Sequence, residues 1–92
     1  MGTTIDTDER GAAAALMTPR TCKAARVLLA MNQLELAQRA GVALQTVRNF
    51  ENEESQPTHA TWLKIKRALE KAGVQFIDAD GGGVGVRLKQ DR

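Results

Sequence analysis

The feature that most restricts the fold is a pair of short helical patterns separated by only three residues, 41–43. The first pattern begins at Asn32, which forms a capping-box pattern with Glu35, so that each side chain can satisfy a backbone donor of the other residue. Gly41 ends this helix, because glycine readily adopts the left-handed conformation that closes helices. A second helix is predicted at about residues 44–52.

Two helices joined by so short a turn can cross at a steep angle only if three requirements are met. The helices need a small residue at their contact, a turn residue that tolerates positive φ, and an apolar anchor on the second helix. Ala37, Gly41 and Val47 supply these three features. We therefore expect them to form the frame that fixes the second helix.

A rotation of about 100° per residue divides the second helix into two faces. The face able to enter a core consists of Thr46, Val47, Phe50 and Glu51. The opposite, mainly polar face consists of Leu44, Gln45, Arg48, Asn49 and Asn52.

The polar face has the chemistry of base recognition. Glutamine or asparagine amides match adenine, a guanidinium matches guanine, and Leu44 fits a thymine methyl group. A merely solvated helix face is the alternative for an arbitrary helix, and the surrounding frame favours base recognition.

Together the frame and the polar face resemble a known family. The segments 32–42, 45–47 and 50–52 are similar to the lambdoid phage repressor and Cro family, also called the xenobiotic-response-element (XRE) family. The resemblance covers roughly residues 22–69 and implies a helix-turn-helix that enters the major groove of DNA.

The resemblance also implies roles for individual residues. Gln33, at the start of the helix that follows Asn32, would bind a backbone phosphate. Leu44, Gln45 and Asn49 on the next helix would read bases. With the chemistry above, the expected base-reading set is Leu44, Gln45, Arg48 and Asn49. The expected phosphate contacts are Asn32, Gln33 and Asn52.

A charge interrupts the apolar stripe of the first helix. Arg26 lies among Cys22, Ala25 and Leu29. The resemblance implies a buried ion pair between Arg26 and Glu51, and extension of Arg26 to solvent is the alternative. Cys22 is expected to be a small core residue rather than a redox sensor.

Two positions depart from the family pattern. Ala43 stands where a Ser or Thr usually caps the recognition helix, and losing such a cap costs about 0.5 to 2 kcal/mol. Asn52 replaces a common glycine, which is tolerable because asparagine also enters the left-handed region.

Capping patterns define the rest of an all-α fold with four helices. The first helix begins at Thr18 and Pro19 and runs to about Met31. The fourth follows Thr58, runs to about residue 72, and carries the core residues Trp62, Ile65, Ala68, Leu69 and Ala72. Residues 17–73 are thus predicted to form the domain, after a flexible arm at residues 1–16.

Beyond residue 73 the spacing of apolar residues changes from a helical period to the alternation of a strand. Val84, Val86 and Leu88 alternate with polar residues or glycine, which indicates a strand with one buried face. Residues 75–78 could pair with it across a turn at residues 80–83. Because an isolated hairpin is marginal in water, residues 74–92 must pack on the helices or mediate dimerisation.

Charge and composition restrict the function classes. The net charge is +2, and the segment through Leu16 carries −2 (Asp6, Asp8 and Glu9 against Arg10), so the remainder carries +4. No set of metal ligands, catalytic cluster or membrane-spanning run is found in the sequence, and His59 has no catalytic partner nearby. We expect a non-enzymatic protein of the bacterial or phage-derived cytosol that needs no cofactor.

These observations predict a homodimeric, sequence-specific regulator that binds double-stranded DNA at an inverted repeat. The dimer contact is expected in the hairpin, with Leu63 on the fourth helix as the alternative. Two other functions stay open: an antitoxin that represses its own promoter and neutralises a toxin, and an antiactivator that uses the same fold to bind a protein.

Overall fold

The computed structural model of the chain describes residues 16–78 and 83–89. It contains four helices, α1 (Pro19–Leu28), α2 (Gln33–Ala40), α3 (Leu44–Glu51) and α4 (His59–Ala72), followed by strands β1 (Val74–Ile77) and β2 (Gly85–Leu88). The predicted four-helix domain with a C-terminal hairpin is confirmed. The predicted flexible arm, except Leu16, and the predicted turn, except Gly83, lie outside the described residues.

Hydroxyl caps begin α1 and α4 where the sequence indicates. The Thr18 hydroxyl accepts a hydrogen bond from the Thr21 backbone N–H at 3.1 Å, and the Thr58 hydroxyl accepts one from Thr61 at 3.2 Å. Pro19 occupies the first turn of α1, where its missing N–H breaks no helical bond.

The capping box predicted for α2 is only half formed. The Asn32 side chain accepts a hydrogen bond from the Glu35 N–H at 2.8 Å. The Glu35 carboxylate does not return this bond and instead contacts Arg39, one helical turn later, at 3.0 Å. The guanidinium offers the carboxylate a charged donor at the favourable i,i+4 spacing, which accounts for the difference.

Two helix ends also differ from the prediction. Helix α1 ends at Leu28 rather than near Met31, because Ala30 turns the chain at φ 54° and brings Met31 into the core. Helix α3 ends at Glu51, and the expectation that Asn52 could take the left-handed conformation was wrong. Asn52 has φ −87°, and the left-handed residue is Glu53 at φ 59°.

The core lies between the four helices and β1. Its largest fully buried side chains are Phe50, Leu36, Ile65, Leu69, Val47, Val74 and Cys22. Trp62 is half-buried, and its indole N–H donates to the Met17 carbonyl oxygen at 2.9 Å. This bond ties the residues before α1 to α4 and satisfies the polar atom of an otherwise apolar side chain.

Lys66 is a buried charge that the apolar stripe of α4 did not predict. Its side chain is 7% exposed, and its ammonium lies 3.0 Å from Glu70 and 5.9 Å from the centre of the Trp62 ring. The lysine stem covers apolar surface while the charge contacts a carboxylate and an aromatic face.

The hairpin buries the side chains of its first strand, whereas the sequence predicted the buried face on the second. Strands β1 and β2 are antiparallel, with Phe76 opposite Val86. The buried face belongs to β1, where Val74 and Phe76 are inaccessible, whereas Val84 and Leu88 are 39% and 50% exposed. Because β1 directly follows α4, it packs on α4 and its side chains enter the core. Strand β2 pairs with β1 and packs against α1.

The alternation of burial along β1 gives a first test. Phe76→Ala should lower the free energy of unfolding by about 3 to 5 kcal/mol, because it removes a large side chain from the core. Ile77→Ala, at the adjacent exposed position, should lower it by less than about 1 kcal/mol. Urea unfolding followed by circular dichroism measures both, and equal losses would contradict this packing.

Candidate nucleic-acid interface

Residues 41–43 hold α2 and α3 in close contact. Gly41 has φ 73°, as the closing residue of α2 requires, and the Val42 N–H donates to the Ala37 carbonyl oxygen at 3.0 Å. Ala37 and Val47 are buried on the two sides of the helix contact. A Cβ at residue 41 would meet no atom within 4 Å, so its backbone conformation, rather than space, favours glycine.

Helix α3 presents its two faces as its sequence indicates. Val47, Phe50 and Glu51 are buried, whereas Gln45 and Arg48 are exposed. Asn49 is half-buried beside them. Helix α3 thus exposes a polar surface while its other face is fixed in the core.

Two amides on this surface bond to each other. The Gln45 Nε2 donates to the Asn49 Oδ1 at 2.9 Å, one helical turn apart. Gln45 keeps its carbonyl oxygen and a second amide hydrogen, and Asn49 keeps its amide hydrogens. The bond restricts the rotation of both side chains and leaves one acceptor and several donors facing outward.

The remaining residues of this face differ in their availability. None of the described residues forms a hydrogen bond or ion pair with the Arg48 side chain, so the guanidinium is free to bind a ligand. Leu44 is half-buried and packs partly against the core. Ala43 makes no side-chain cap bond at the start of α3, as its lack of a polar atom requires.

Beneath α3 lies a buried ion pair. The Arg26 Nη2 and Nε each lie 2.7 Å from a different oxygen of the Glu51 carboxylate. The two side chains are 13% and 0% exposed. The third guanidinium nitrogen donates to the Met31 carbonyl oxygen at 3.0 Å, so Arg26 also holds the turn that follows α1.

Two further donors complete the coordination of this carboxylate. The Gln33 Nε2 donates to Oε1 of Glu51 at 3.0 Å, and the Cys22 thiol donates to Oε2 at 3.3 Å. The Glu51 carboxylate therefore joins α1, α2 and α3. We call Cys22, Arg26, Gln33 and Glu51 the carboxylate cluster.

Burial and hydrogen bonding act in opposite directions on the ionisable groups of the cluster. Burial favours the neutral form of Glu51, but hydrogen bonds from Arg26, Gln33 and Cys22 outweigh it and lower the pKa of this carboxyl. Burial, reinforced by the negative charge of Glu51, raises the pKa of the Cys22 thiol. Glu51 is therefore ionised at neutral pH, and Cys22 is a protonated donor.

The residues expected to bind phosphates have different surroundings. Gln33 is half-buried and has one amide hydrogen occupied by Glu51. The Asn32 side-chain oxygen caps α2, and the amide nitrogen of the same side chain takes no part in that bond. Asn52 is exposed at the end of α3. The sequence did not indicate that Gln33 and Cys22 contact Glu51, because both contacts join residues far apart in the chain.

Other kinds of site receive no support from the described residues. No group of three or more His, Cys, Asp or Glu side chains within residues 16–78 and 83–89 is arranged to hold a metal. His59 stacks on Trp62 with ring centres 5.6 Å apart. In the same part of the chain, no helix combines the length and the apolar character needed to cross a membrane.

Comparison with known proteins gives one family. A helix-turn-helix family model matches residues 23–74, which is more than half of the 92-residue chain. The matched segment contains most of α1 and all of α2, α3 and α4. No curated protein matches the chain.

The buried ion pair predicts strongly coupled mutations. Arg26→Ala or Glu51→Ala alone should lower the free energy of unfolding by about 3 to 5 kcal/mol, because each leaves a buried charge without its partner. The double variant should lose less than the sum. The exposed pair Glu35 and Arg39 is the control in urea unfolding, with an expected coupling of about 0.3 to 0.5 kcal/mol. Additive, small effects at Arg26 and Glu51 would contradict a buried bridge.

The lowered pKa of Glu51 predicts a pH dependence. Ionised Glu51 stabilises the fold above about pH 4.3, the unfolded-state pKa of glutamate, and this contribution is lost as pH falls towards the lower folded-state pKa. The stability advantage of the wild-type chain over Glu51→Gln should therefore shrink on acidification. Urea midpoints measured from neutral to acidic pH test this, and a constant difference would show that the carboxylate gains nothing from its donors.

Proposed function

Because the chain belongs to the XRE/Cro-type helix-turn-helix family of DNA-binding transcription regulators, we propose that it reads a specific double-stranded DNA sequence with α3. The observation that carries this proposal is the polar surface of Gln45, Arg48 and Asn49, held outward by the burial of Val47 and Phe50. A helix with one polar, donor-rich face fits the major groove.

The bond between Gln45 and Asn49 supports recognition of adenine. Adenine presents an acceptor and a donor in the major groove, and the free carbonyl oxygen and amide hydrogen of Gln45 match them. Asn49 holds the Gln45 amide in place and has donors for a neighbouring base. The unpartnered Arg48 guanidinium is suited to the two acceptors of guanine. Leu44 contributes the exposed part of its side chain to a thymine methyl group.

Phosphate contacts fix the position of the domain on DNA without reading sequence. We assign these contacts to Gln33 and Asn32 at the start of α2 and to Asn52 at the end of α3. Gln33 holds Glu51 with one amide hydrogen and has a second for a phosphate oxygen. A phosphate bound there is one hydrogen bond away from the carboxylate cluster.

A single helix-turn-helix contacts too few base pairs to select one site in a genome. We therefore propose that two copies bind an inverted repeat in the cytosol and repress or activate transcription without a cofactor. The two copies of α3 would enter successive major grooves, with half-site centres about 10 to 10.5 base pairs, or roughly 34 Å, apart.

The reading face predicts which substitutions change specificity. Gln45→Ala and Asn49→Ala should each weaken binding to the selected site by about 1 to 3 kcal/mol and relax discrimination at particular base pairs. Because the two amides bond to each other, the double variant should lose less than the sum.

The measurement begins with selection of a site from random DNA by the wild-type chain, followed by anisotropy titrations and footprinting. Gln75→Ala is the control, since Gln75 is an exposed glutamine on the hairpin that bonds to Arg87. If the double variant kept wild-type affinity and an unchanged footprint, α3 would not be the reading helix.

A further inference from the structure

A shallow groove runs along the outer face of α1. The residues that line it are Arg20, Lys23, Ala24, Val27 and Leu28 of α1 and Val86 of β2. We call these six residues the α1–β2 groove. None of them belongs to α3, so a partner bound in the groove need not cover the polar face of that helix.

The half of the groove nearest the end of α1 is apolar. Val27 and Leu28 are 68% and 42% exposed, and Val86 is half-buried beside them. Single exposed apolar side chains are ordinary on a protein surface, whereas adjacent ones that line one groove are typical of an interaction site. This half of the groove therefore favours a partner that covers it with apolar side chains of its own.

The half of the groove nearest the start of α1 carries two positive charges. Arg20 and Lys23 are exposed, and neither side chain has a hydrogen-bond or ion-pair partner within residues 16–78 and 83–89. Neither α1 nor β2 contains an acidic residue that could neutralise them. Arg20 also lies in the first turn of α1, where the helix dipole disfavours a cation. Both charges are therefore available to a partner that supplies carboxylates.

We propose that the α1–β2 groove binds a short acidic and apolar segment of another protein. The carboxylates of this segment lie against the two cations, and its apolar side chains lie in the apolar half of the groove. From Arg20 to Leu28 the helix rises about 12 Å, which corresponds to about two turns of a partner helix or four extended residues. This inference is independent of the proposed function, because none of its contacts involves α3 or DNA.

The chemistry of the groove distinguishes this partner from other occupants. A second copy of the chain would bring its own Arg20 and Lys23 to the contact, where like charges are unfavourable. DNA would supply phosphates for the cations, but its contacts with protein are mainly polar and would leave Val27 and Leu28 uncovered. A small molecule usually needs a pocket around most of its surface, and this groove is open. A segment with carboxylates beside apolar side chains satisfies both halves.

Selection of peptides by the full chain tests this chemistry. A random peptide library displayed on phage is bound to the immobilised wild-type chain, after removal of peptides that bind the double variant Arg20→Glu, Lys23→Glu. The enriched peptides should carry Asp or Glu near one end and apolar residues near the other, because Lys23 and Val27 lie about one helical turn apart. Enrichment of apolar peptides without acidic residues would overturn the proposal.

An enriched peptide is then synthesised with a fluorescent label and titrated by anisotropy. Val27→Asp should weaken its binding at least about tenfold by placing a carboxylate in the apolar half, and Lys23→Glu should do so by repelling the peptide's carboxylates. Both positions are exposed, so the fold should tolerate the changes. Leu34→Asp and Lys64→Glu are the matched controls, since they change an exposed leucine of α2 and an exposed lysine of α4 outside the groove. Both should bind the peptide as the wild-type chain does.

Exchange of charge between the two partners gives a second measurement. A peptide in which Lys replaces each Asp and Glu should bind the double variant Arg20→Glu, Lys23→Glu better than it binds the wild-type chain, because the ion pairs are restored with reversed sign. A surface that binds any apolar peptide would not discriminate between the two peptides. Equal binding of both peptides by the wild-type chain would therefore contradict the role of the two cations.

The other occupants appear as separate outcomes of these titrations. Displacement of the peptide by duplex DNA that lacks the selected site would assign the groove to nucleic acid. Self-association of the wild-type chain that Val27→Asp abolishes would assign it to a second copy. A gain in peptide affinity in the triple variant Asp6→Asn, Asp8→Asn, Glu9→Gln would assign it to the acidic residues of the same chain. Each of these results would overturn the proposal, as would unchanged peptide binding by Val27→Asp.

Discussion

The fold depends on one buried carboxylate. Glu51 is the last residue of α3, and its two oxygens accept hydrogen bonds from α1 through Arg26 and Cys22 and from α2 through Gln33. The desolvation of this charge is offset only when all three helices are in place, because buried ions without partners are strongly unfavourable. The orientation of α3, the turn after α1 and the start of α2 are thus linked through a single group.

This linkage gives the exposed face of α3 its rigidity. Val47 and Phe50 fix the helix by apolar contacts, which tolerate small rotations, whereas the bidentate bond between Arg26 and Glu51 fixes its end with defined angles. Gln45 and Asn49 add a second restraint on the outer side. Both restraints would favour the proposed contacts of these amides with base edges, because side chains held in advance lose less entropy on binding.

Local chemistry made much of this structure predictable. Thr18, Asn32, Gly41 and Thr58 act at helix ends as their side chains or backbone freedom indicate, and the two faces of α3 follow from its periodicity. The pairing of Arg26 with Glu51 is what the family resemblance implied. The turns at Ala30 and Glu53, which follow α1 and α3, were not predictable from local preference, since neither residue type favours positive φ. Tertiary contacts also decided which strand of the hairpin is buried and that Gln33 and Cys22 bond to the buried carboxylate of Glu51.

The buried thiol has a practical consequence. Cys22 is inaccessible, and its proton is held towards Glu51 in an environment that disfavours the thiolate, the form that reacts with electrophiles. A reagent can therefore modify it only after the packing between α1 and α3 has opened. Since this is the only cysteine in the chain, the rate at which a thiol reagent labels it measures how often this packing opens. The native sequence thus contains a chemical reporter of how often α3 separates from α1, with no probe added.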